Sequence, residues 1–194
     1  MIKIGIVGDI SSGKTFFSRL FKFPIFDADR AVSSLYKEDQ NLFRQIKKKF
    51  PKEISNFPLK KEELLKIILK HPKNLKVLGK MIHPKVRKKM NNFLKINKKK
   101  RIVILDVPLL LENKLNTKKD VIIFIEGDKK KIKQKMIKRK NINLKLINIL
   151  KQNQIPLKSK KRKADFIIKN NFISKTAKKN VKLILEIINE RNRT

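Results

Sequence analysis

Ile2–Val7 is an unbroken β-rich run that opens directly into Gly8-Asp9-Ile10-Ser11-Ser12-Gly13-Lys14-Thr15. No other segment of the 194-residue chain constrains its fold as tightly. A short apolar run closed by a glycine reads as a buried strand. The octapeptide fits G-x-x-x-x-G-K-[ST], whose glycines let backbone N–H groups turn towards a polyphosphate. Lys14 to Phe21 then has helical spacing, and the positive end of that helix adds to the same attraction. In this reading Lys14 reaches the β- and γ-phosphates of ATP, and the Thr15 hydroxyl sits on Mg²⁺. The expected ATP-binding set is Gly8, Asp9, Ile10, Ser11, Ser12, Gly13, Lys14, Thr15 and Phe16.

The rest of the chain fits an α/β fold around that start. Pro24–Asp27 reads as a second strand, with a helix from Ala28 to about Tyr36. From about Gln40 to Asn97 the apolar residues recur at helical spacing, punctuated by Pro51, Pro58, Pro72 and Pro84. Arg101–Val107 and Asp120–Glu126 are the third and fourth strands, and Asp165–Ile168 is a short fifth. Strands 102–107 and 121–125 are continuously apolar, as in a parallel sheet covered on both faces by helices. The expectation is a doubly wound, five-stranded parallel sheet of the P-loop, nucleoside-monophosphate-kinase-like kind. One domain spans 1–194, with a helical subdomain at 30–98 and two short lysine-rich helical stretches within 139–163. At Pro84 a helix start is one reading, with His83 extended before it.

The formal net charge is +36, from 52 Lys+Arg against 16 Asp+Glu. Such a charge attracts phosphates and raises a nucleic-acid reading. Yet Lys outnumbers Arg by 43 to 9, whereas base and phosphate forks favour Arg. Lys, Ile and Asn, with A/T-rich codons, make up 88 of the 194 residues. The lysine excess therefore reads as compositional drift on the surface, with no specific nucleic-acid partner. There are no cysteines, which excludes a thiol nucleophile and a Cys-ligated metal. No apolar run has transmembrane length, and Met1-Ile2-Lys3-Ile4-Gly5 lacks a signal-peptide pattern. The expected setting is cytoplasmic, without a membrane, as a monomer or weak oligomer.

In so basic a background the few acids carry the information. Asp9, Asp27, Asp29, Asp106 and Glu112 all fall at or just after segments that read as strand ends. In a parallel sheet the carboxyl ends share the ligand-binding edge. A phosphoryl acceptor needs a group that takes its proton. Asp29 suits that role, with Asp27 as the alternative, and one of the two serves as N-cap of the next helix. Asp106 closes the third strand in a Walker-B-like place, suited to Mg²⁺ at one remove. Arg139 stands out because arginine is scarce and its guanidinium forks onto phosphate oxygens.

Together these pieces resemble the dephospho-CoA kinase family. The resemblance rests on Gly8–Thr15, Phe26-Asp27-Ala28-Asp29, Ile82-His83-Pro84-Lys85-Val86 and Asp106-Val107-Pro108-Leu109-Leu110-Leu111-Glu112. Arg139, Gln154 and Ala164–Asn170 follow in the family's order. The resemblance implies transfer of the ATP γ-phosphoryl group to the ribose 3′-hydroxyl of dephospho-CoA, the last step of coenzyme A synthesis, with Mg²⁺. It implies a nucleotide-kinase-like core in which 30–98 is an acceptor-binding subdomain and 139–163 a lid, that Asp29 is the catalytic aspartate with Asp27 beside it, and that Lys14 and Arg139 hold phosphates. Lys61, His83, Pro108, Leu109, Leu110 and Glu112 fall on the acceptor side, and Asn170 near the adenine.

Four places depart from the family pattern. Asp9-Ile10-Ser11-Ser12 stands where the family carries more glycine. Lys22-Phe23-Pro24 lacks the usual glycine, and Phe172 replaces the glycine that usually follows the adenine-side asparagine. Lys61 takes the place of an arginine and keeps the charge without the bidentate fork. Two rival readings remain: another small-molecule or nucleoside monophosphate kinase of this fold, and a basic nucleic-acid-binding P-loop protein.

Overall fold

A computed structural model describes residues 1–137 and 143–191. Arg139 lies outside these described residues. Within them the chain divides into two compact units, 1–26 with 97–142 and 154–194, and 27–96 with 143–153. Of the 139–163 range expected as a lid, residues 143–153 belong to the helical unit and 154–163 to the sheet unit.

The sheet unit is built on β1 (Ile2–Gly8), β2 (Ile25–Asp27), β3 (Ile102–Asp106), β4 (Val121–Gly127) and β5 (Phe166–Asn170). Their order is β2-β3-β1-β4-β5, a crossover topology. The β1/β3, β1/β4 and β4/β5 pairs are parallel, with Gly5 opposite Leu105, Gly8 opposite Ile125 and Gly127 opposite Asn170. Every residue of β3 is buried, as an unbroken apolar strand requires when both faces are covered. β5 instead alternates, because it is an edge strand with one wet face.

One sheet face is covered by α1 (Lys14–Leu20) and α9 (Ser174–Arg191). Ala177, Val181, Ile184 and Ile188 of α9 recur at helical spacing and pack with Phe17 and Phe21 on Ile4, Ile6, Ile104, Ile123, Ile125 and Ile168. Burying a side chain the size of Phe17 contributes about 2–3 kcal/mol. Elsewhere on the sheet, α8 (Leu157–Arg162) packs against β1, and Leu110 of the turn after β3 fills the space that Gly5 leaves. An added Cβ at Gly5 would lie 2.3 Å from Leu110 Cδ2. α6 (Lys129–Ile137) follows β4 and buries Ile132.

Two acids lock this unit. Asp120 is buried, pairs with Lys3 at 2.9 Å and accepts from the Thr117 backbone N–H and hydroxyl. Asp165 accepts from the Ile122 N–H at 2.7 Å and donates its own N–H to the Ile122 carbonyl, which ties β4 to the strand after it.

The helical unit holds α2 (Ala28–Glu38), α3 (Gln40–Lys49), α4 (Lys61–Lys70), α5 (Asn74–Ile96) and α7 (Leu144–Gln152). Asp27 caps α2 by accepting from the Arg30 N–H, and Asp39 caps α3 by accepting from the Leu42 N–H. Such caps stabilise by about 1 kcal/mol each. Asp39 also pairs with Lys85 of α5 at 2.7 Å. Burial alone would raise the Asp39 pKa; the bonds from Lys85 and Leu42 outweigh it and hold the carboxyl below its ordinary value. The helix does not start at Pro84. α5 runs through it, because Leu78, Ile82, Val86 and Met90 form one buried stripe on both sides of the proline. Four buried side chains outweigh a proline penalty of about 3 kcal/mol. α7 packs on α4 and buries Ile149.

Candidate functional site

β1 ends in a loop shaped by its glycines. Gly8 has φ 151° and Gly13 φ 99°, and Gly13 is the N-cap of α1. Neither has room for a side chain: an added Cβ would meet the Ile125 carbonyl oxygen at 2.5 Å at Gly8 and Asn170 Nδ2 at 2.6 Å at Gly13. Gly127, at the end of β4, lets that strand approach Ser12, whose Cα would lie 3.2 Å from an added Cβ. The loop is therefore clamped by the strand beside it.

Asp9 does not project its charge freely. Its Oδ1 accepts from the Ile10 N–H at 2.6 Å, and its carbonyl from the Ser12 N–H. Lys14 extends over the loop, with Nζ 2.7 Å from the Asp9 carbonyl and 3.4 Å from that of Gly8. The Ser11 and Ser12 hydroxyls are buried and have no partner among the described residues. Thr15 and Phe16 stand exposed on the first turn of α1.

Asn170 is buried beside this loop. Its Nδ2 donates to the Ser12 carbonyl at 2.8 Å, and its Oδ1 accepts from the Phe172 N–H at 2.8 Å. The residue expected near the adenine is thus a buttress of the phosphate loop in this structure. Phe172 adopts φ 61°, and Lys135 of α6 lies 4.1 Å above its ring. Lys131 Nζ reaches the Asn171 carbonyl at 2.9 Å, so α6 is fastened twice to the loop after β5.

Asp106 closes β3, buried to 5% exposure, on the strand next to β1. The turn after it is closed by bonds from the Leu110 N–H to Val107, Asn113 to Leu109 and Leu115 to Leu110. Pro108 and Leu109 are partly exposed, whereas Leu110 is fully buried under β1. Glu112 pairs with Lys160 at 2.8 Å and accepts from the Ile155 N–H at 3.2 Å.

The other expected residues belong to the helical unit. Asp27 is occupied as the α2 cap, while Asp29 is exposed in the first turn. Two turns on, Tyr36 has its hydroxyl pKa pushed up to about 12, by burial and then by the Asp29 charge. Lys61 opens α4 and is exposed. His83 lies over Gly79, where an added Cβ would be 3.1 Å from its ring. Desolvation, and then the Arg87 charge, hold its pKa below the ordinary value of 6.5.

Sequence reasoning missed Lys160. It lies in the basic run Lys160–Lys163, and nothing in the sequence distinguishes it from the other lysines.

The strand, glycine loop, capped helix and lysine define a P-loop α/β protein that presents backbone donors and an ammonium to a polyphosphate. The dephospho-CoA kinase of Campylobacter jejuni shares the fold, with a TM-score of 0.68 at 22% identity over 98% of both chains. A Thermus thermophilus crystal structure superposes at a TM-score of 0.77, also at 22% identity, over 95% of this chain and 96% of that one. In sequence, the dephospho-CoA kinase of Wolbachia sp. subsp. Brugia malayi is 34% identical over 85% of this chain and 87% of its own. That of Zymomonas mobilis is 33% identical over 88% of each chain. The family model for Dephospho-CoA kinase matches residues 2–175, and the chain belongs to that family.

Proposed function

We propose that this chain transfers the γ-phosphoryl group of ATP to the ribose 3′-hydroxyl of dephospho-CoA, giving coenzyme A and ADP. The observation that carries this is the clamped glycine loop with Lys14 across it, in a chain matched over residues 2–175 by the Dephospho-CoA kinase family. The backbone donors of Gly8–Thr15 and the Lys14 ammonium bind the triphosphate. The 3′-oxygen attacks phosphorus, the bond from the γ-phosphorus to the β,γ-bridging oxygen breaks, and ADP leaves with that oxygen. Asp29 accepts the hydroxyl proton. Asp27 is the half-buried helix cap, whereas Asp29 is exposed in the first turn, and that exposure favours Asp29 of the two.

Thr15 and Asp106 offer one hydroxyl and one carboxylate, oxygen donors of the kind Mg²⁺ takes, so this pair fits the metal. Thr15 would hold it directly and Asp106 through water. Bound there, Mg²⁺ neutralises charge developing on the phosphates. By family resemblance Arg139 clamps phosphates, and Lys61, His83, Pro108 and Leu109 meet the acceptor; Leu110, buried under β1, and Glu112, paired with Lys160, act on the acceptor side from behind that surface. Exclusion of water during transfer would keep ATP from hydrolysis.

The test is ADP release with dephospho-CoA, AMP and shikimate as separate acceptors. Dephospho-CoA should stimulate release far above the acceptor-free rate. Stimulation by AMP or shikimate alone would move the chain to a rival kinase reaction. Asp29→Asn should lower kcat about 10²–10⁴-fold with ATP affinity kept; near-normal turnover would place the base elsewhere.

A further inference from the structure

Among 43 lysines, most of them drawn to the surface, Lys160 is fully buried at 0% exposure. Its ammonium lies 2.8 Å from Glu112 Oε1 and 2.9 Å from Gln154 Oε1. The same Glu112 oxygen accepts the Ile155 N–H, while Oε2 is buried with no partner among the described residues. A buried ion pair gains little over an apolar pair of equal volume, because both ions lose their hydration. An unsatisfied buried carboxylate oxygen adds a further cost. Stability alone therefore does not explain why lysine and glutamate occupy these positions.

Placement does explain it. The cluster joins three segments: the turn after β3, the start of the 154–194 segment, and α8. Between Asn153 and Gln154 the chain passes from the helical unit to the sheet unit. The pair thus pins the re-entry point to the turn that carries Pro108 and Leu109. That turn is already stiffened by its own backbone bonds, so fixing Glu112 fixes the whole turn against the end of β3.

We propose that Lys160 is a positioning residue for the transfer: through Glu112 it fixes the Pro108–Asn113 turn and ties it to Gln154–Ile155, presenting Pro108 and Leu109 to the acceptor in one place. This rests on the acceptor role given to that turn above.

The experiment compares wild type, Lys160→Met and the double variant Lys160→Met/Glu112→Gln. The single variant leaves Glu112 unpaired and should melt well below wild type. The double variant is uncharged and retains an acceptor for the Ile155 N–H, so its melting should recover. Its kcat/KM for dephospho-CoA should nevertheless stay about 10-fold or more below wild type, with the KM for ATP within about 2-fold. Recovered melting with wild-type kcat/KM for the acceptor would overturn the proposal and leave the pair purely structural. Should the double variant melt too low to assay, Gln154→Leu decides. It removes one bond of the cluster and should raise the acceptor KM about 3-fold with the ATP KM unmoved; no change in the acceptor KM overturns the role. Absence of turnover in the wild-type protein would instead overturn the proposed reaction.

Discussion

The phosphate loop and the loop after β5 make similar backbone demands and meet them with different residues. Gly8 and Gly13 hold positive φ in the first, and Phe172 holds φ 61° in the second. Ser11 and Lys22 do the same at φ 62° and 58°. Lys114, in the turn after β3, holds φ 50° as well; the other three fall in the segments where the resemblance leads one to expect glycine. The difference lies in space. At Gly8 and Gly13 a Cβ would strike a backbone carbonyl or a buried amide. At the three replaced positions, side chains are accommodated. Left-handed φ alone costs a non-glycine residue about 1–2 kcal/mol, whereas a Cβ at Gly8 or Gly13 would collide with the wall of the loop.

Filling a retained glycine is the strongest way to break that distinction. Gly8→Ala should lower kcat/KM about 100-fold or more, since the loop must shift away from the Ile125 carbonyl. A variant with near-normal ATP use would show that the clearance is unimportant. Asn170→Ala comes next. It removes the donor to the Ser12 carbonyl and should cost about 1–3 kcal/mol, raising the KM for ATP about 10-fold by letting the loop move. An unchanged ATP KM with lowered melting would confine Asn170 to stability.

Restoring glycine at the replaced positions should act in the opposite direction. Lys22→Gly is the cleanest, because Lys22 is exposed. It should add about 1 kcal/mol, or about 2–4 °C in Tm. A lower Tm would mean that the left-handed backbone carries no penalty there. Phe172→Gly should gain less, since it also gives up the contact with Lys135. Gly79 is the intermediate case, because an added Cβ would meet only the exposed His83 ring, which can swing away. Gly79→Ala should therefore raise stability by up to about 1 kcal/mol through helix propensity. A loss in thermal melting would show that His83 is held in place.

The sheet was legible because its signals are local and redundant. β3 and β4 are unbroken apolar runs, and the phosphate loop has its own spacing. That one of Asp27 and Asp29 caps the next helix was legible, since N-capping needs only neighbours in sequence. Long-range pairing left no such trace. Asp120 and Asp165 bind Lys3 and Ile122 across the sheet, so acids outside the strand-end set proved to be locks. Lys160 is legible only once α8 is known to pack on β1. Pro84 misdirected the reading because a buried stripe running from Leu78 to Met90, over more than three helical turns, overrides a local breaker. Asn170 was read through family likeness, which gave its neighbourhood; its bond to Ser12 required the fold.

The most direct test of the proposed reaction is the structure of its product. The protein is incubated with MgATP and dephospho-CoA, and the product is examined by phosphorus and proton NMR. One equivalent of ADP should appear for each new phosphomonoester, and that phosphorus should couple to the ribose 3′ proton. ATP consumed to free phosphate with dephospho-CoA unchanged, or a phosphoryl group on any other oxygen, would contradict the account.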